Sequence, residues 1–117
     1  MNAMRQVPLV RSRQRGAANR LREALLRLAD YRAQVLSHGE TRWTSITYTG
    51  ARHSFTLLFA GGEAVEAGER FIAELAEHEF AIAGHLVADA EVLEVEHRFG
   101  PAPRLEVRCE VLMLEDG

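Results

Sequence analysis

The sequence predicts an α+β domain in which two helices pack on one face of a four- to five-stranded antiparallel sheet made of two hairpins, in the order α-β-β-α-β-β-β. Three observations carry this prediction. An Ala- and Leu-rich stretch repeats its apolar residues at helical spacing. Two pairs of segments rich in β-branched and aromatic residues each flank a Gly- or Pro-containing turn. A second stretch of helical period separates the two pairs.

Residues 1–16 show no hydrophobic period and contain Pro8 and Gly16, so they read as a basic arm ahead of a single domain over residues 17–117. From Ala17 to Leu36, the residues Leu21, Leu25, Leu28, Tyr31 or Arg32, and Val35 form one stripe, with Arg22, Arg27, Asp30 and Gln34 largely opposite. Ser37-His38-Gly39 then ends the helix, with Gly39 as the left-handed C-cap.

Arg42 to Thr49 and His53 to Ala60 read as strands joined by a tight type II′ turn at Gly50-Ala51. That turn pairs Ile46 with Phe55, Thr44 with Leu57 and Tyr48 with His53 on the core side, and Trp43 with Leu58 on the other. Gly61-Gly62 breaks the second strand, and Glu63 to Glu77 form a helix whose buried stripe is Ala64, Gly68, Phe71, Ile72 and Leu75. Phe80 to Ala83 form either a short strand or a return path.

Leu86 to Phe99 and Leu105 to Leu114 make the last hairpin. Its second strand alternates cleanly, with Leu105, Val107, Cys109, Val111 and Met113 inward. The first changes phase, which a β-bulge near Val92-Leu93 repairs. With Phe99 facing Leu105, Arg98 lies opposite Glu106, Glu96 opposite Arg108 and Glu94 opposite Glu110. One sheet face then lies uncovered, carrying Trp43, Leu58, Leu112 and Leu114.

Composition narrows the function. All 14 basic residues of the 117 are arginine, set against 17 acids for a net charge of −3. Residues 1–42 hold nine arginines against three acids, net +6, and residues 43–117 are net −9. The longest uncharged apolar runs, such as Phe55 to Ala60, are far too short to span a bilayer. One cysteine, Cys109, excludes an intrachain disulfide framework and a cysteine-based zinc site. The arginines at 11, 13 and 15 interrupt any apolar signal core, so a cytoplasmic location with no membrane partner is expected.

The candidate chemistry is sparse. Glu77, His78, Glu79, His85, Asp89 and Glu91 form an acid and imidazole cluster; on a plain strand His85, Asp89 and Glu91 share a face, as a metal or acid–base site requires. No strong metal motif accompanies them, and a solvated sheet face is the favoured account of them. His53 and His97 read as structural, and Cys109 as a buried small hydrophobe. Gly61-Gly62 lacks both the lysine and the spacing of a phosphate loop, and acidic residues follow it.

The reading these features favour is a small interaction module working as a homodimer, without cofactor or resident metal. Its interface draws on Trp43 and Leu58 of the uncovered face and on Arg11, Arg13 and Arg15 of the arm, whose charge matches the acidic body. Two alternatives stand beside it. One is a nucleic-acid-associated protein that uses the arginine arm, weakened by an arm without aromatic residues. The other is a small enzyme or metal protein centred on His85, Asp89 and Glu91.

Overall fold

A computed structural model describes residues 16–116. Helix α1 covers residues 16–28, so Gly16 begins the helix rather than ending the arm. Strands β1 (Gln34–Thr44) and β2 (Thr49–Ala60) follow, then helix α2 (Gly62–Glu74) with a 3-10 turn at Leu75–Glu77, then β3 (His85–Arg98) and β4 (Arg104–Glu115). The four strands form one antiparallel sheet in the order β1-β2-β4-β3, and both helices lie on the same face. The fold is α+β, as the sequence predicts.

Alternation explains which face is covered. Phe55, Leu57 and Phe59 of β2 and Leu105, Val107, Cys109, Val111 and Met113 of β4 point to the helices. There they meet Leu21 and Leu25 of α1 and Ala64, Ala67, Phe71 and Leu75 of α2 in one apolar core. Gly68 of α2 sits so close to Phe59 and Leu105 that an added Cβ would lie 2.6 Å from Leu105 Cδ2. The helix thus presses directly onto the two central strands, β2 and β4, near the end of β2 and the start of β4.

The first helix stops well short of Leu36. Asp30 and Tyr31 adopt left-handed φ values of 57° and 56°. Tyr31 N–H donates to Leu26 O at 2.8 Å and Asp30 N–H to Arg27 O at 2.9 Å, the hydrogen-bond pattern of a Schellman C-cap. Aspartate tolerates this conformation better than most residues, and its carboxylate is held by Arg70 of α2 at 2.8 Å. The role expected of Gly39 therefore falls to Asp30, and Gly39 pairs with Ser54 inside β1.

The first hairpin also turns elsewhere. The connection is residues 45–48, closed by Ser45 N–H donating to Tyr48 O at 2.8 Å and Tyr48 N–H to Ser45 Oγ at 3.0 Å. Ile46, expected opposite Phe55, sits in this loop at 106% exposure. Gly50 lies within β2, paired with Trp43 on one side and Leu114 on the other. A side chain there would collide with the Met113 carbonyl, so close approach of two strands, not a turn, requires this glycine.

Strand β3 contains the expected irregularity between Val92 and Glu94 and a second between Val87 and Asp89. Its register against β4 differs by two residues from the expected one: His97, not Phe99, faces Leu105. Glu94 consequently lies opposite Arg108, and Glu96 opposite Glu106. Of residues 80–83, only Ile82 makes a bridge, to His85, so the sheet has four strands among the described residues.

Candidate assembly face and histidine pocket

Among the described residues, both helices lie on the other face of the sheet, and none of them forms an element over the face turned away from the helices. Cross-strand pairing arranges it in rows. At one end Trp43, Gly50, Leu114 and Leu86 stand side by side, with Leu112 in the next row. Leu86 is 52% exposed, Trp43 and Leu112 are half-buried, and Leu114 is buried beneath its neighbours. The middle of the face is polar and tied by ion pairs, Arg52 to Glu110 at 3.2 Å and Arg108 to Glu94 at 2.6 Å. Both pairs are partly or largely exposed and contribute little individually.

Of the residues expected at an interface, Trp43 and Leu58 are both on this face but not together. Trp43 pairs with Gly50 and Leu58 with Gln34, roughly 26 Å apart along β2 at a strand rise of about 3.3 Å per residue. Arg11, Arg13 and Arg15 lie outside the described residues. Leu86, absent from the sequence-based interface, is the most exposed member of the apolar end, and only the true register of β3 brings it there.

The candidate acid–base cluster is split by a bulge. His85 and Val87 face the helix side, where His85 lines a cavity, whereas Asp89 and Glu91 face the open side opposite Leu112 and Glu110. The extra residue, Ala88, inverts the alternation on which their convergence depended. Glu77, His78 and Glu79 are exposed around the 3-10 turn, with His78 edge-on to Phe80. Among the described residues no three His, Cys, Asp or Glu side chains are grouped as metal ligands.

A different set of histidines does converge. His38 of β1 and His53 of β2 share a hydrogen bond, Nε2 to Nδ1 at 2.9 Å, and His38 stacks on Phe55 with ring centroids 4.1 Å apart. His53 is 1% exposed. Burial, reinforced by the neighbouring His53 and Arg22, lowers the pKa of His38, with Glu40 opposing. Burial first, and then His85, lowers that of His53. Sequence reasoning missed this pair because it assigned His38 to a helix end.

Beside the pair lies a cavity of about 220 Å³ between the first turn of α1 and that end of the sheet. Ala17, Glu40, Arg42, His53, His85 and Glu115 are among its walls. The remaining expected groups are unremarkable in chemistry. Burial pushes the Cys109 thiol up to about 12, far from a reactive thiolate. His97 is half-buried and stacks on Phe99, which is 75% exposed at the far hairpin tip.

No helix among the described residues is long and apolar enough to cross a membrane. No protein-family model matches the chain, and no curated protein matches it in sequence. One solved structure is similar: a chain from the virion of a native gene transfer agent particle, at 13% identity and a TM-score of 0.57. The match spans 86% of this chain and 93% of that one. At such low identity the likeness rests on the backbone alone. What it shows is a likeness of fold over most of both chains.

Proposed function

We propose that this protein is a structural subunit that assembles with copies of itself, a homodimer being the smallest such assembly. The observation that carries this reading is the apolar end of the sheet face turned away from the helices, where Trp43, Leu86, Leu112 and Leu114 adjoin with no helix of the described residues above them. The likeness to a chain of a virion particle supports it, because there the same fold belongs to a particle. In this reading Trp43 anchors the contact and Leu58 extends it along the face. Arg11, Arg13 and Arg15 add positive charge opposite an acidic body. Assembly takes place in the cytoplasm, where a chain with one buried thiol folds without oxidation.

Light-scattering mass across a sizing column tests the reading. The protomer is 13.1 kDa, and the expected mass is at least twice that. Trp43→Ala is expected to return the peak to the protomer mass, since truncating an aromatic anchor costs about 2 kcal/mol or more of binding. A wild-type chain that stays at protomer mass up to high concentration overturns the proposal. Absorbance at 260 nm on the same peak, lost on adding salt, points to nucleic acid on the arm instead.

A further inference from the structure

The sheet order leaves, among the described residues, one unpaired edge on β1 and one on β3. The two edges are unlike. On the face turned away from the helices, β3 carries a column of carboxylates, Asp89, Glu91, Glu94 and Glu96, and two irregularities break its length. Edge charges and bulges of this kind oppose pairing with a further strand. β1 is regular from Ser37 to Thr44, and there the same face carries Ser37, Gly39, Thr41 and Trp43, none of them charged. The unguarded edge is β1.

Gly39 marks the same stretch. Glycine inside a strand weakens it, and it usually serves a bulge, a bend or a close approach of backbone. Gly39 pairs regularly with Ser54, has no positive φ, and a Cβ built on it would meet nothing within 4 Å. Packing among the described residues therefore does not require the missing side chain. On the helix side of β1, Glu40 and Arg42 are exposed, and neither takes part in an ion pair among the described residues.

We propose that two copies of this chain pair β1 against β1, antiparallel, about a two-fold axis at Thr41. Residues equally far before and after Thr41 then stand opposite one another. Glu40 of each copy faces the partner's Arg42, and Trp43 lies across the partner's Gly39, filling the gap that the glycine leaves. An axis one residue away sets Glu40 against Glu40 or Arg42 against Arg42. Pairing β3 with β3 brings two acidic columns together, so charge selects β1. The contact is closed and self-complementary, and it joins the two sheets into one with the acidic edges outermost. The proposal rests on the self-assembly proposed above and specifies where the copies meet.

Sedimentation of wild type, E40R, R42E and E40R/R42E at low ionic strength tests the register. Each single reversal sets like charges opposite one another twice per dimer and is expected to weaken it about tenfold. The double reversal restores opposite charges and is expected to return the affinity close to wild type. Oxidation of a Thr41→Cys variant tests the axis, since directly opposed residues lie within disulfide reach. It is expected to give a covalent dimer, whereas Leu86→Cys gives none; the native Cys109 is buried and does not compete. A dimer in which the double reversal is no better than the singles overturns the β1 pairing and leaves self-assembly standing. So does a dimer linked through Leu86→Cys but not through Thr41→Cys. A chain that stays at protomer mass at every concentration overturns both.

Discussion

His38 and His53 touch through ring nitrogens 2.9 Å apart, and a hydrogen bond of that kind needs at least one neutral ring. Both pKa values lie below the ordinary 6.5, chiefly because of burial. The sign of the pH effect follows. Below 6.5 the unfolded chain takes up protons that the folded chain resists, so folding stability falls as pH drops. Above 6.5 both states hold neutral rings and the pair contributes its full share. Urea midpoints between pH 5 and 8 should therefore decline on the acid side, and His38→Gln should flatten that slope. A slope that His38→Gln leaves unchanged would assign the effect to other groups. Nothing in the local sequence marks this pair, since the partners are 15 positions apart and meet only through the β1–β2 register.

At the scale of elements, legibility followed how much apolar signal each boundary carried. The α1 stripe through Leu25, the α2 stripe and the alternation of β4 were readable because burial repeats along them. Residues 34–44 were not, because β1 is a half-exposed edge strand with little beyond Val35 and Trp43 to set a period. An α-helical reading could thus run on through Val35 until glycine stopped it. The true stop is Asp30, a residue whose left-handed conformation is permitted but not demanded by sequence. Asp30→Val places a β-branched residue in that conformation and removes the bond to Arg70. It should cost about 1–3 kcal/mol in urea unfolding. Asp30→Gly, which keeps the backbone easy, should cost less; equal losses would show that the ion pair, not the cap, matters. The cluster at His85, Asp89 and Glu91 was misread for a related reason, as a small residue such as Ala88 carries no sign that a bulge sits there.

Over its described residues the domain is a thin slab, 56 × 31 × 20 Å, with both helices on one side of the sheet. The class and the uncovered face were legible because element order and alternation determine them. The rows on that face were not, because registers decide which residues adjoin. Strands β2 and β4 occupy the centre, bonded on both edges, while β1 and β3 have, among the described residues, one unpaired edge each and contain the irregularities. Amide hydrogen exchange should accordingly be slowest through Phe55–Phe59 and Leu105–Val111 and faster in β1 and β3. Uniform protection across all four strands would contradict this order, unless assembly covers the edges.

The central position of β4 bears on how the chain is made. A ribosome releases β1 and β2 first, and they can pair as soon as both have emerged. Strand β3 then appears with no strand to pair with, because its one strand partner among the described residues is β4. Until residues 104–115 emerge and slot between β2 and β3, the phenylalanines of β2 lack half of their sheet-side packing. Completion of the core is therefore held back until β4 has emerged, leaving a nascent chain with exposed strand edges that invite capture by a chaperone.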